Sequence, residues 1–236
     1  EFPVRENGLT YLLSFAEGYS TGLFLDQRDN RRRLLKNWIG PDFPVRAGTL
    51  VGAEVLNLFA YTCAFSVAAA AGGAITTSLD LSRKYLDWGR RNMAANQIDA
   101  TRHDFIFGDV FEWLRRLSRK GRSFDVVLLD PPTFSQSREH GVFKAETGYA
   151  ELVAQAARVL RPGGVLLAST NAARLDPEHF LEQVRTGLSS SGHTLERELF
   201  VPQPPDFPTH RDEPGYLKTV WLRTRGSPGL PAPGRL

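Results

Sequence analysis

One cysteine, Cys63, and one methionine, Met93, stand among 236 residues. A lone thiol excludes an intrachain disulfide and a cysteine-built metal cluster, so no bound metal is expected and a reducing, cytoplasmic setting fits best. Long apolar runs are missing as well: none approaches the roughly 18 residues of a membrane helix. The opening EFPVRENG is too polar for a signal peptide, and no membrane partner is expected. Charge of one sign does not dominate either. The 29 Lys and Arg against 26 Asp and Glu leave a formal +3, which permits an anionic partner without demanding one. The chain shows no internal repeat, and it is long enough to bury the core of one α/β domain.

What the chain does have is an abrupt stop at residues 124 to 135, FDVVLLDPPTFS. Phe124 and Val126 to Leu129 form a short, partly β-branched run broken only by Asp125, the pattern of a strand covered on both faces. Pro131 and Pro132 remove two backbone donors and end it. Ligands of open α/β sheets bind beyond the carboxyl ends of strands, where Asp130 and Phe134 would project. Alternatively, Asp130 only caps the next segment and Phe134 only packs in the core.

Around this stretch the pattern is strand, loop and helix in alternation. Strands are predicted over Val55 to Phe59, Ala74 to Leu79, Asp104 to Phe107, Phe124 to Leu129 and Val165 to Ser169. Helices are predicted from Phe65 to Ala71, from Ser82 as cap to about Asn96, and over Val110 to Arg119, Tyr149 to Leu160 and Pro177 to Ser189. Arg161 to Gly164 reads as a turn, and a polar loop separates the strand at Phe124 to Leu129 from the helix at Tyr149. Thr194 to Phe200 and Tyr216 to Leu222 close the chain as antiparallel strands. The fold class is therefore α/β, a doubly wound, mainly parallel sheet.

Before that sheet, residues 1 to 47 form a separate extension. It holds a β-hairpin turning at Asn7-Gly8, a second break at Glu17-Gly18, and a helix capped by Asp26 that runs to about Ile39 with Leu34, Leu35, Trp38 and Ile39 on its apolar face. Residues 48 to 225 are the main domain. The Pro/Gly-rich stretch 226 to 236 is expected to be a disordered tail.

Three acids end strands: Asp80, Asp109 and Asp130. Each alone is most simply a cap or turn residue, but together they fall on one sheet edge. A carboxylate about twenty residues past the first strand-loop turn suits a ribose diol, which gives Asp80 a role. The dinucleotide fingerprint G-x-G-x-x-G is absent from LNLFAYTCAFSV, leaving a pyrophosphate without a cradle. A nucleoside without phosphates fits better, and S-adenosylmethionine is the common one. Asp109 would then accept from an adenine amino group.

The segments TGLFLDQRDNR (21 to 31), VLNLFAYTCAFSVAAAAGGA (55 to 74), LDLSRKYLDWGRRNMAANQI (79 to 98), FDVVLLDPPTFSQSR (124 to 138), LRPGGVLLASTN (160 to 171) and EPGYLK (213 to 218) together resemble the S-adenosylmethionine-dependent methyltransferases of 23S ribosomal RNA. The likeness runs from about residue 2 to 224 and covers both a cytosine-C5 (RlmI-like) and a guanine-N7 (RlmK-like) branch. It implies a Rossmann-like methyltransferase sheet, S-adenosylmethionine as cofactor and RNA, 23S rRNA, as partner. It also implies that Asp26, Gln27 and Arg28 hold the methionine portion with the loop from Asn57 to Ser66, notably Asn57, Phe59, Tyr61 and Thr62. Asp80 with Leu81 and Asp109 with Val110 would hold ribose and adenine. Asp130, Pro131 and Phe134 would face the target base, Asp130 also touching the cofactor. Relatives often carry a further N-terminal RNA-binding domain, and a start at Glu1 rather than methionine fits a trimmed piece.

The C5 branch places its nucleophilic cysteine just after strand five, where this chain has Asn171, as the N7 branch does. Cytosine C5 needs a thiol adduct before it can attack, whereas guanine N7 offers a lone pair directly. Cys63 lies in the strand-one loop and reads as a small packing residue. D-P-P-T-F also resembles the [DN]-P-P-[YF] signature of amino-group methyltransferases, with Asp130 as hydrogen-bond partner and Phe134 as stacking platform. Ser135, Gln136 and Arg138 would line the entrance. Arg31 to Arg33 and Arg138 are candidate phosphate contacts, while Arg115 to Arg122 reads as a solvated face. His210, Arg211 and Tyr216 are placed at the cofactor edge. The expected reaction is direct methyl transfer to a purine nitrogen, guanine N7 first. The alternatives are cytosine-C5 methylation and a catalytically silent RNA-binding platform.

Overall fold

Asn7 and Gly8 both adopt positive φ, 53° and 84°, the turn that matches the twist of a two-residue hairpin. It joins β1 (Phe2–Glu6) to β2 (Leu9–Leu13) as the sequence predicts. The computed structural model describes residues 1–16, 21–137, 141–207, 209 and 215–226. The Glu17-Gly18 break, Arg138, His210, Arg211 and positions 227 to 236 of the tail lie outside the described residues.

The segment after the hairpin departs from expectation. Asp26 caps no α-helix; it lies in a 3-10 turn, Leu25–Gln27, and α1 (Arg28–Leu35) follows. The helix stops at Leu35 because Asn37 turns left-handed, φ 51°. That breaks the helical phase, so Trp38 is exposed while Ile39 is buried from a loop position.

The main sheet holds β3 (Glu54–Leu58), β4 (Ile75–Asp80), β5 (Asp104–Phe107), β6 (Phe124–Leu129), β9 (Leu160–Thr170), β10 (Leu195–Pro202) and β11 (Lys218–Thr224) in the order β10-β11-β9-β6-β3-β4-β5. Pairings from β9 through β6, β3 and β4 to β5 are parallel, and β10 and β11 are antiparallel. The chain starts at β3, steps outward through β4 to β5, and returns to β6 on β3's other side. This reversal lies between β3 and β6, where a doubly wound sheet opens a crevice at its carboxyl edge.

Strand alternation splits the core. Leu56, Leu58, Val127, Leu129, Leu166 and Ala168 face a core shared with α4 (Val110–Arg119), α5 (Ala145–Ala157) and α6 (Pro177–Ser190). Val55, Val126, Leu128, Val165 and Leu167 face the other core, which takes Leu34 of α1 and Phe65 of α2 (Ala64–Ala71). Each fully buried side chain of this kind contributes about 1.5–3 kcal/mol. On this second side α3 (Arg83–Ala95) also docks the N-terminal hairpin. Asn96 Nδ2 donates to Thr10 O at 2.6 Å, Thr10 N donates to Asn96 Oδ1 at 2.8 Å, and Leu12 N donates to Asn92 Oδ1 at 2.8 Å. Side-chain amides thus satisfy an edge that a neighbouring strand would otherwise cover.

Two further corrections bear on the site. The expected polar loop after Asp130 contains an antiparallel hairpin, β7 (Phe134–Ser137) with β8 (Gly141–Lys144). It is pinned by Phe143, buried against Phe111 of α4, and α5 begins directly after it, four residues before the expected Tyr149. The predicted turn at Arg161 to Gly164 is the bulged start of β9, with Gly163 at φ 79°. Arg161 holds it there through ion pairs to Asp125 and Glu54 at 2.7 and 2.6 Å.

Candidate active site

The carboxyl ends of β3, β4 and β6 open onto a cleft of about 350 Å³, within the range of small-molecule sites. Asp80 and Leu81 line it from the end of β4, Val110 from the start of α4, Asp130 to Thr133 from the end of β6, Ser135 from β7, and Asn171 from the end of β9. The 3-10 turn adds Phe24, Asp26 and Gln27 from across the crevice. A smaller cavity adjoins it, lined by Arg31, Asn57, Ala60 and Thr62, and Gln27, Phe59, Tyr61 and Asp130 border both spaces. Asp130 therefore stands at their junction.

The loop after β3 shapes one wall. Phe59, Tyr61 and Cys63 all take left-handed φ, 57°, 48° and 61°, positions that glycine usually fills. The alternation turns Tyr61 N inward, where it donates to Asp80 Oδ2 at 2.8 Å. Ser82 N donates to the other oxygen at 2.8 Å. Burial pushes the Asp80 carboxyl up, and these backbone N–H groups pull it back. Tyr61 packs edge-on against Tyr85 at 4.5 Å and tilts on Phe24 at 5.4 Å, giving the wall an aromatic surface.

At the opposite end, side chains from distant segments hold Asp130. Gln27 Nε2 donates to Asp130 Oδ2 at 3.1 Å and to Ser169 Oγ at 2.7 Å. Asn30 fixes Gln27 by donating to its Oε1 at 2.8 Å, and is itself held by the Trp221 indole N–H at 3.0 Å. The Tyr149 hydroxyl donates to Ser169 O at 2.6 Å and accepts from Ser169 N at 2.9 Å. Burial, and then the charge of Asp26, push the Asp130 carboxyl up to about 6. Asp26 is also raised by burial, against a hydrogen bond from the Tyr216 hydroxyl. The nearby guanidinium of Arg31 is spoken for by Glu6, two bonds of 2.7 Å, and by Phe24 O.

Among the sequence candidates, Asp26, Gln27, Phe59, Tyr61, Asp80, Leu81, Val110, Asp130 and Pro131 meet around the main cleft, and Asn57 and Thr62 border only the smaller cavity. Asn57 Nδ2 donates to Ser66 Oγ there, and Thr62 Oγ1 to Gly22 O. Three candidates stand apart. Arg28 pairs with Asp206 at 2.5 Å outside the lining. Asp109 is buried and caps α4 by accepting from Glu112 N at 3.0 Å. Phe134 is 55% exposed on β7, which leaves it no core role and no place in the lining. Arg31 is buried in its ion pair with Glu6, unlike the phosphate contact expected of it. Tyr216 does reach the cleft edge, through Asp26.

Sequence reasoning missed Phe24, Tyr85 and the supporting Asn30, Tyr149, Ser169 and Trp221. Tyr85 carried a signal, since a helix capped by Ser82 presents its first turn to the same edge as Asp80. Among the described residues no cluster of His, Cys, Asp or Glu could hold a metal, and no helix is long and apolar enough to cross a membrane.

The family model for S-adenosylmethionine-dependent methyltransferases matches residues 1–223. A ribosomal RNA large subunit methyltransferase K/L of a Psychrobacter species is 40% identical over 177 residues, covering 73% of this chain and 20% of that protein. The ribosomal RNA large subunit methyltransferase I of Aeromonas salmonicida is 34% identical over 225 residues, 94% of this chain and 54% of its own. The crystal structure of SMU.776, complexed with SAH, superposes with a TM-score of 0.82 at 35% identity, covering 94% of this chain and 55% of that one. The chain thus spans between a fifth and about half of the curated relatives named here.

Proposed function

The chain belongs to the S-adenosylmethionine-dependent methyltransferase family, and from that premise we propose that it methylates a purine nitrogen of large-subunit ribosomal RNA in the cytoplasm, guanine N7 in first place, without a covalent enzyme intermediate. One observation carries this reading: no thiol reaches the cleft. Cys63 is the one cysteine of the chain, it is fully buried, and burial pushes its thiol up to about 12. A nucleophilic cysteine needs the opposite, a depressed value and access. Asn171 lines the cleft at the end of β9, where its Oδ1 accepts from Thr133 Oγ1 at 2.9 Å.

The site's features fit the cofactor. The Asp80 carboxylate lies at the end of β4 with its orientation fixed by two backbone donors, ready for a ribose diol, and the adjoining small cavity suits the methionine portion. Bound there, S-adenosylmethionine supplies an electrophilic methyl group. The residues then have to align a ring nitrogen with that methyl and stabilise charge. Attack by N7 leaves a positive charge on the purine. Asp130, at the junction of the two cavities, supports such a product because its carboxylate is ionised at neutral pH and lacks a cationic hydrogen-bond partner. Cytosine C5 would first need a thiol adduct, and the buried Cys63 does not supply one to the cleft. Relatives named for both branches resemble the chain, so the preference rests on the site.

The test is mass spectrometry of large-subunit rRNA nucleosides from cells with and without the gene. Loss of 7-methylguanosine is the expected result. Loss of 5-methylcytidine would overturn the proposal, and loss of an amino-methylated purine would keep the direct route but move the target atom.

A further inference from the structure

We propose that Asp26 and Asp130 act as one anionic pair that reads the charge on the cofactor's sulfur, holding the sulfonium of S-adenosylmethionine more tightly than the neutral thioether left after transfer. The inference rests on the family's cofactor and assigns a specificity-determining role to two residues of the cleft. Both carboxylates line it, and Asp26 is only 8% exposed. Among the described residues no Lys or Arg forms an ion pair with either. Asp130 is held by neutral donors, Gln27 and Ser169, and Asp26 by the Tyr216 hydroxyl.

Among the charged and titratable groups around the pair, none is a cation hydrogen-bonded to either carboxylate. Arg31 of α1 lowers both carboxyls through space, but its guanidinium is bonded to Glu6. Tyr149 of α5 has its hydroxyl on Ser169, and burial holds it protonated. Tyr216 donates to Asp26. Lys218 of β11 turns its ammonium to the carbonyls of Ala172 and Tyr216 at 3.0 and 3.1 Å. A cavity with two carboxylates and no bound countercharge favours a cationic guest over a neutral one of the same shape.

S-adenosylmethionine and S-adenosylhomocysteine share their α-ammonium, carboxylate and nucleoside, so their affinity ratio isolates the sulfur. The raised value of Asp130 adds a proton to the account. Near pH 6 the empty site holds a proton on about half of the molecules; sulfonium binding releases it to solvent, and the neutral product lets it return.

Calorimetric titration of the whole chain with each ligand, between pH 5.5 and 7.5 and in buffers of different ionisation enthalpy, tests this. At pH 7.5 the sulfonium form should bind roughly tenfold tighter. At pH 6 its binding should release about half a proton, while S-adenosylhomocysteine releases almost none. The ratio should narrow toward pH 5.5. Asp130→Asn should bring it close to one and abolish the proton release; its amide oxygen can still accept from Gln27. Asp26→Asn, a second variant in case the first does not fold, should lower the ratio and shift the proton release to lower pH. A wild-type ratio that ignores pH, or an Asp130→Asn ratio equal to wild type, overturns the charge-reading role while leaving the cofactor assignment standing. A folded protein that binds neither ligand overturns both.

Discussion

The two ends of the cleft each present a half-buried aspartate, and they are built in opposite ways. Asp80 takes both of its bonds from backbone N–H groups within 19 and 2 residues of itself, so forming β4, its loop and α3 is enough to set it. Asp130 depends on Gln27, 103 residues away, and on Ser169, which lies 142 residues from Gln27 and is bonded to it as well, and it stays under-compensated. The first end is a rigid socket assembled locally. The second is assembled only when the N-terminal turn, β6 and β9 come together, and it keeps an unbalanced charge facing the guest. Sites that bind and react commonly divide in this way, with strain or unpaid electrostatics gathered where the chemistry occurs.

The largest effect should come from removing the socket. Asp80→Ala deletes the acceptor of Tyr61 N and Ser82 N along with the proposed ribose contact. Affinity for S-adenosylmethionine should fall by more than about 100-fold, since hydrogen bonds to a charged group contribute about 1.5–3 kcal/mol each. Calorimetry checks this, with circular dichroism confirming the fold. A loss smaller than tenfold would mean that the local end is not the nucleoside socket.

Next comes the assembly of the other end. Tyr149→Phe removes a buried hydroxyl that serves Ser169 O and Ser169 N together. Leaving those groups unpaired should cost about 2 kcal/mol in urea unfolding. Cofactor affinity should change less than in Asp80→Ala. If stability is untouched, the reacting end does not depend on this network.

Asp130→Asn sharpens the contrast with a change of sign. The folded value of about 6 lies above the unfolded value of 3.8, so the folded state binds the proton more tightly. Ionised Asp130 therefore costs stability above pH 6, and the cost fades as pH falls from 6 toward 4. The variant should be more stable than wild type at pH 7.5, by on the order of 1–2 kcal/mol, and equal to it near pH 4. Melting curves across that range would decide, and a destabilised variant at pH 7.5 would show that the charge is compensated after all.

The same division explains what could be read from the chain. Asp80 and Asp130 were legible because an apolar run ending in an acid is a local pattern, as were the Asn7-Gly8 turn and the cap at Ser82. Ile39 escaped helical periodicity because a left-handed Asn37 intervenes, and the β7–β8 hairpin hid in a mostly polar stretch that buries Phe143. The partners of Asp130 left no local trace: nothing near Asn30 or Tyr149 indicates that one steadies Gln27 and the other Ser169. Asp109 and Arg28 matched family positions, yet they are engaged in a helix cap and an ion pair, contacts that require coordinates.

The smallest effect concerns the loop that gives the local end its shape. Cys63 pays a left-handed penalty of about 1–2 kcal/mol, but its thiol fills the space left by Gly89, where an added Cβ would fall 2.4 Å from Sγ. Cys63→Gly should relieve the backbone and open a small void, two terms that nearly cancel, for a net change within about 1 kcal/mol. Methyl transfer should persist, since no thiol is required. Gly89→Ala alone should destabilise by about 1–3 kcal/mol through overpacking, and Cys63→Gly should rescue most of that loss in a double-mutant cycle. Additive losses would mean that the two residues do not share the space. Abolished transfer in a folded, cofactor-binding Cys63→Gly protein would return thiol chemistry to the cleft.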